Sequence, residues 1–420
     1  MSPTPNEEPL PPPTLIEDDA RFGELLELLA ESGEIAIDTE ADSFYSYQER
    51  VCLIQITAGA EDFLVDPLAD LDVSRLGPIL ADPTKTKVFH DGEYDVLILK
   101  RDYGFEFARL FDTRVAAAAL GLELPGLASV VQERFGVELD KSQQRSDWSK
   151  RPLTELQIAY AREDTRYLLP LMHQLSRELE ERGRMKIVAG ECRRLEALEA
   201  VARTFDPDEF IRLKGVRTLD PRQRRILREL FVWRDGEAKR RNVPPFKVLG
   251  NHALLAAARS RPRSLQALER VEGFSPKIVR RAGRALVDVV RRAEQLDPIR
   301  ELPRLPARDG TSELDEASVE LHERLKSWRK VRAKAEGIDS SLILNRHTLI
   351  ALALEKPADL EGLAAAEGLV AWQLELFGSE LLGVLRTFRE DLEQGRLDLS
   401  GRRGRRRASS RDNPQPPSRP

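Results

Sequence analysis

The second half of the chain is written twice. Trp233 and Trp328 stand 95 residues apart, and at the same offset Leu249 meets Leu344, His252 meets His347, Leu254 meets Leu349 and Pro262 meets Pro357. The register continues through Leu265 and Leu360, Leu268 and Leu363, Gly273 and Gly368, and Gly283 and Gly378. An ungapped match of this kind marks a duplicated unit. The leucines fall at helical spacing, so residues 219–300 and 313–390 are expected to form two copies of one small all-α domain. The Pro-rich stretch "DPIRELPRLPARDGTSEL" joins them.

Residues 14–215 follow a different pattern. After the helical "DDARFGELLELLAES", short β-type runs appear: "EIAIDT", "VCLIQIT", "EDFLVDP" and "TKVFH". Helical segments follow: "EYDVLILKRDYG", "DTRVAAAALGL" with Asp112 as expected cap, "LASVVQERFG", and one long helix from about Thr154 to "ELEERG". Consecutive strands followed by helices predict an α/β domain with a mixed sheet, ending in a helical connector. Residues 1–13, with "PLPPP", and 396–420, an Arg-rich tail, read as a disordered leader and a disordered basic end.

Charge divides along the same boundaries. Residues 14–180 hold 17 Lys+Arg against 33 Asp+Glu, a balance of −16, whereas residues 219–300 hold 20 against 9, a balance of +11. Residues 313–385 return to −5, with 8 against 13. An acidic first domain suits cations and a basic second one suits a polyanion. On charge alone the first copy is the expected nucleic-acid anchor, and the second is expected to pack against another part of the protein. Two cysteines, Cys52 and Cys192, sit far apart in apolar or helical patterns, which argues against a disulfide framework and fits a reducing cytoplasm. No apolar run approaches the length of a membrane span.

Within the acidic domain, "EIAIDTEADSF" places Asp38 and Glu40 on one face of a strand, since side chains alternate along it. Like charges on one face need neutralisation or a use, and a divalent cation supplies both. A lone D-x-E is more often a solvated strand end, so further acids must join it. In "KVFHDGEYD" Asp95 lies in the first turn of a helix, where the dipole alone would explain an acid. In "LQIAYAREDTRYLL" Tyr160 and Asp164 are one turn apart on an otherwise apolar helical face, where an unpaired acid is harder to dismiss.

Taken together, D-x-E on a strand, H-x4-D at a strand-to-helix junction and Y-x3-D on a later helix resemble the DEDD superfamily of 3′-5′ exonucleases. The tyrosine subgroup fits, because Ala159 stands where the histidine subgroup would carry His. "VCLIQI", "FDTRVAAAALGL", "VELDKSQQRSDWSKRPLTELQIAYAREDTRYLLPL" and "DPDEFIRLKG" look like ribonuclease D, and the repeated units resemble the helicase and RNase D C-terminal (HRDC) fold. The resemblance covers residues 15 to 385. It implies a ribonuclease H-like mixed-sheet exonuclease domain followed by two small all-α HRDC-like domains.

It also implies a chemistry. Asp38 would bridge two divalent ions, Mg²⁺ or Mn²⁺, Glu40 and Asp164 would complete the first site, and Asp95 would help the second. Tyr160 would orient, and even deprotonate, the attacking water. The product would be a nucleoside 5′-monophosphate, and the substrate RNA with a free 3′ end, such as tRNA precursors or other structured RNA. Phe44, Tyr45 and Tyr47 follow the metal acids and are candidates to stack on terminal bases, although a loop packed on its own domain explains them equally. Lys141, Arg145 and Lys150 flank "SDW" and are candidate phosphate contacts, as are Arg224, Arg225, Lys239 and Arg240 in the first helical copy. His90 is read as strand-end support without chemistry, while Asp42 and Asp91 add acids beside the motifs in either an outer or a solvated position. A DNA-acting exonuclease and a non-catalytic nucleic-acid-binding scaffold on a nuclease fold remain the alternatives. The second would be signalled by loss of a metal acid, and all four are present.

Overall fold

A computed structural model describes residues 11–200, 204–303, 305 and 314–397, so the expected leader and basic tail lie almost wholly outside the described residues. Two compact units emerge. Among the described residues, one comprises 11–114, 126–174, 195–200, 204–303 and 305, and the other 115–125, 175–194 and 314–397.

The first unit is built on a six-stranded mixed sheet in the order β1-β4-β3-β2-β5-β6. The strands are β1 (Thr14–Ile16), β2 (Glu34–Ala41), β3 (Val51–Ala58), β4 (Glu61–Val65), β5 (Thr86–Phe89) and β6 (Leu110–Asp112). β3 runs antiparallel to β2 and β4, while β5 runs parallel to β2 and to β6. The expected mixed sheet is therefore present. β3 is buried at every position, which is why "VCLIQITA" reads as a nearly continuous apolar run and not as an alternating one.

Among the described residues, eight α-helices precede the duplicated halves in the chain: α1 (Asp19–Glu31), α2 (Gly77–Ala81), α3 (Glu93–Tyr103), α4 (Thr113–Leu120), α5 (Leu127–Phe135), α6 (Glu155–Arg166), α7 (Leu168–Glu181) and α8 (Met185–Glu196). One local expectation is met and exceeded, and another needs correction. Asp112 is not merely a helix cap: it ends β6, and its carboxylate accepts from the backbone N–H groups of Asp91, Gly92 and Arg114, tying the start of α3 to that of α4. The single long helix expected from Thr154 is two helices, α6 and α7, with Tyr167 capping the first. The start itself is as expected, fixed by a capping box between Thr154 and Gln157.

The duplicated halves fold in matching register. The first copy contains α9 (Pro221–Arg240), α10 (Pro245–Val248), α11 (Asn251–Ser260), α12 (Leu265–Glu269) and α13 (Pro276–Gln295). The second contains α14 (Glu316–Glu336), α15 (Ser340–Ile343), α16 (Arg346–Glu355), α17 (Leu360–Ala364) and α18 (Ala371–Glu393). The equivalence reaches single contacts. Arg234 donates to the Leu249 carbonyl and Arg329 to the Leu344 carbonyl, and Arg261 and Lys356 end their helices in the left-handed region. Gly273 and Gly368 both have positive φ, 87° and 77°, and a Cβ there would press on Ala253 and Thr348 at 2.8 and 2.7 Å. The repeated glycines are thus required twice over, by conformation and by close approach.

Each copy has its own neighbours within its unit. In the first unit the Tyr47 hydroxyl donates to both carboxylate oxygens of Asp235 at 2.9 and 2.8 Å, and Lys247 sits over the Tyr45 ring, 3.8 Å from its centroid. These contacts join the first copy to the loop that follows β2. In the second unit Trp372 lies directly over Gly190, where a Cβ would come within 2.3 Å of the ring, and Arg184 donates to the carbonyls of Ala119 and Glu336. Both cysteines are free, and no helix among the described residues is long and apolar enough to cross a membrane.

Candidate active site

The strand alternation expected for "IDTEA" holds: Ile35 and Ile37 are buried, while Asp38 and Glu40 are half-buried on the other face. α6 contacts β2, β3 and β4 and brings Asp164 to that face. One carboxylate oxygen each from Asp38, Glu40 and Asp164 lies within 4.8 Å of the others. The buried Oδ2 of Asp164 has no hydrogen-bond partner, and no lysine or arginine among the described residues pairs with any of the three.

Three acids without a cation raise one another's proton affinity. Burial first, then Asp95, Asp164 and Glu40, pushes the Asp38 carboxyl well above the ordinary carboxylate range. Burial, followed by Asp164 and Asp95, lifts Glu40 to about 9. Asp164 rises to about 7 through burial, partly opposed by its hydrogen bond from Tyr160. Such a cluster favours any divalent cation that displaces the protons. The donor set is all oxygen, as hard cations require, so the residues present fit Mg²⁺ or Mn²⁺.

Asp95 stands slightly apart. It is buried in the first turn of α3, as the sequence placed it, but its Oδ1 accepts from the Thr39 hydroxyl at 2.5 Å. Its carboxyl is lifted to about 6 by burial, with the Thr39 bond pulling the other way, and its charge acts on Asp38, Glu40 and Asp164. Thr39, the middle residue of D-T-E, therefore anchors the fourth acid. Sequence reasoning missed it, because alternation assigns Thr39 to the opposite face from Asp38.

Tyr160 is buried, its ring centroid 5.9 Å from that of Trp148, and its hydroxyl bonds to Asp164. Burial and then the neighbouring acids raise its ionisation far above that of an ordinary phenol, so the hydroxyl is held protonated beside these acids. Trp148 is itself held from behind. Arg151 donates to the carbonyls of Trp148, Lys150 and Cys52 and pairs with Asp66, which accounts for the "SDWSKRPL" text.

α6 is pinned to the sheet by a second set of charges. Asp62 on β4 is buried and accepts from Thr57 at 2.9 Å, Arg162 at 2.8 Å and Arg166 at 2.6 Å. Thr57 also meets Thr165 at 2.8 Å. Sequence pattern gives no signal for this clamp, because its partners are about a hundred residues apart.

The remaining candidates fall into two groups. Phe44 is exposed, as are Lys141, Arg145 and Lys239, and the Tyr45 hydroxyl donates to the Arg145 carbonyl at 3.0 Å. Arg224 and Arg225 instead donate to the carbonyls of Arg300 and Asp297, and Arg240 is forked onto Glu237. The arginines at the start of α9 therefore fasten the end of their own domain, a structural engagement that charge counting does not reveal. Lys150 pairs with Asp147 at 3.6 Å. His90 bonds through Nδ1 to the Thr113 hydroxyl at 2.9 Å, in line with strand-end support. Asp42 is buried and not solvated, accepting from Ser46 and the Arg50 backbone to shape its loop, while exposed Asp91 meets Arg114 at 3.4 Å.

Comparison with known proteins gives the family. The 3′-5′ exonuclease family matches residues 13–180, and the HRDC domain family matches residues 223–290 and 318–385. The ribonuclease D of Acidiphilium cryptum is 33% identical over 97% of this chain and 98% of its own length. Mouse exosome complex component 10 is 34% identical over 61% of this chain, which spans only 30% of that protein. Among solved structures, Escherichia coli RNase D, described as an exoribonuclease involved in structured RNA processing, matches with a TM-score of 0.64 and 30% identity, covering 89% of this chain and 99% of its own. The catalytic core of RRP6 from Trypanosoma brucei matches at 0.62 with 31% identity, covering 67% and 79%.

Proposed function

Because the chain belongs to the ribonuclease D family of 3′-5′ exoribonucleases, we propose that it trims the 3′ ends of structured RNA, tRNA precursors among them, releasing nucleoside 5′-monophosphates. The observation that carries the reading is the convergence of Asp38, Glu40 and Asp164 within 4.8 Å without a cationic partner, with Asp95 beside them. In the proposed site Asp38, Glu40 and Asp164, with Asp95 beside them, would hold the divalent ions. Bound ions would supply Lewis acidity for the water and for the departing 3′ oxygen.

The chain's own groups do the rest. Tyr160, kept protonated and bonded to Asp164, orients the attacking water through its hydroxyl oxygen, and Trp148 behind it fixes the ring. Thr39 holds the Asp95 carboxylate in one orientation. Exposed Phe44 offers a face for the terminal base, and Lys141, Arg145 and Lys239 offer charge to the phosphates. Because Arg224, Arg225 and Arg240 are already engaged, the attraction of the first copy for RNA rests on its net charge more than on that cluster. Its binding should weaken linearly in log–log plots against salt.

The test is digestion of 5′- and 3′-labelled RNA and of matched DNA, with Mg²⁺, Mn²⁺ or chelator. The reading expects a 5′-labelled ladder that shortens stepwise and mononucleotide release from the 3′-labelled strand. Equal or faster digestion of DNA would favour the DNA-acting alternative, and no digestion with any metal would favour the scaffold.

A further inference from the structure

Gln55 lies in the middle of β3, directly opposite Asp38 in the antiparallel ladder. Paired residues of such a ladder project to the same face, so Gln55 belongs to the face that carries the acids and is covered by α6. The side chain is fully buried, and neither its Oε1 nor its Nε2 has a hydrogen-bond partner. Its neighbours on that face show how unusual this is. Leu53 is apolar, and Thr57 bonds to both Asp62 and Thr165. A buried amide with neither atom satisfied is destabilising relative to a matched apolar residue, and native structures tolerate few. Such a group persists where a partner arrives with a ligand.

We propose that Gln55 is a positioning residue of the metal centre, its Nε2 donating to the Asp38 carboxylate once that carboxylate takes up a divalent cation. A ligating carboxylate leaves a lone pair unused, and a fixed donor on that lone pair holds the carboxylate in one orientation. The register supplies the donor directly across the ladder, and Asp38, unlike Asp95, has no side-chain donor of its own. The metal-free fold bears the orphaned amide, and the loaded site satisfies it. This inference rests on the proposed metal centre.

The experiment measures Mn²⁺ affinity of the full chain by calorimetry and by paramagnetic resonance, alongside thermal unfolding in chelator, for the parent, Gln55→Leu and Gln55→Met. Both variants are expected to bind Mn²⁺ about 10- to 100-fold more weakly, the usual effect of losing an outer hydrogen bond to a ligand. Their metal-free melting temperature should equal or exceed that of the parent. Methionine matches glutamine in length, so it keeps the test alive if leucine disturbs the core. Parent-like affinity in both variants overturns the inference. Weaker binding accompanied by an equal loss of metal-free stability also overturns it, since that would mark Gln55 as packing. If the parent takes up no Mn²⁺ while Asp38→Asn melts like it with and without the ion, the metal centre itself fails, and this inference with it.

Discussion

Asp62 and Asp38 are both acids drawn away from water on one sheet, and the same helix answers them in opposite ways. Arg162 and Arg166 reach from α6 to Asp62, joined by Thr57, so that carboxylate is paired and fully hydrogen-bonded. Between those two arginines in sequence stands Asp164, which α6 delivers to Asp38 and Glu40 and which adds charge of the same sign. One acid has been given its cations by the chain. The other three have been given no cation. A buried carboxylate without a partner normally protonates or is replaced, so a cluster that keeps three is organised around something that the chain does not encode. The difference separates a paired acid from unpaired ones without any appeal to motif.

The sharpest way to break that distinction is Asp38→Asn. The amide keeps the shape and removes the charge. Turnover should fall by more than about 10⁴-fold, to background, because the lost metal-ion catalysis exceeds any single hydrogen bond. Melting in chelator should stay level or rise, since one repelling charge is gone. Turnover near that of the parent in Mg²⁺, after removal of contaminating nucleases, would end the assignment.

Tyr160→Phe ranks next. It keeps the contact with Trp148 and deletes the donor hydroxyl. A rate loss of roughly 10²–10⁴-fold with metal affinity retained is expected. Unchanged turnover together with a clear drop in stability would mean that the ring only packs.

How much of this was legible in the sequence differs residue by residue. Strand alternation paired Asp38 with Glu40 and helical spacing paired Tyr160 with Asp164, because both are local, whereas Asp95 and the grouping of all five came only from the resemblance to the DEDD exonucleases. The duplicated domains were legible from one constant offset, and the structure repeats it down to Arg234 and Arg329. β1 and β6 were not, since three residues carry no periodicity and each is defined only by a parallel partner distant in the chain. Gln55 was hidden for another reason. β3 is buried on both faces, so a polar residue in "VCLIQIT" reveals its side of the sheet only through its register with β2. The engagement of Arg224 and Arg225 with backbone carbonyls was equally invisible, because charge counts ignore where a side chain ends.

Asp62→Asn tests the comparison from its structural side. Two partly buried arginines would lose their counter-charge, and destabilisation of roughly 2–4 kcal/mol is expected in denaturant titrations, with the lower figure reflecting residual solvent access. Because α6 carries Tyr160 and Asp164, some rate is lost as well, but less than for Tyr160→Phe. A variant as stable as the parent but inactive would place Asp62 among the functional acids and erase the contrast drawn here.

The smallest expected effect concerns pH, and its sign follows from the direction of the shifts. Asp38, Glu40, Asp95 and Asp164 all titrate higher in the fold than their ordinary values of 3.8 and 4.5, with Asp95 near 6, Asp164 near 7 and Glu40 near 9. Between those limits the folded chain binds more protons than the unfolded one, so stability is complete below about pH 4 and declines as pH rises through the folded values. A divalent cation replaces the protons, so in excess Mg²⁺ the decline should be offset. Other groups also titrate: burial lowers His90 to about 4 and Lys87 to about 8, but both act alike with and without metal. The quantity to measure is therefore the difference between unfolding free energies in Mg²⁺ and in chelator across the series. For each proton exchanged it should widen on the order of 1–2 kcal/mol from about pH 6.5 to about pH 7.5, since one proton corresponds to about 1.4 kcal/mol per pH unit. Applied to Asp62→Asn the same difference should persist, and applied to Asp38→Asn it should shrink. A difference that stays flat with pH in the parent would show that the three unpaired acids hold no exchangeable protons, and the contrast with Asp62 would lose its electrostatic basis.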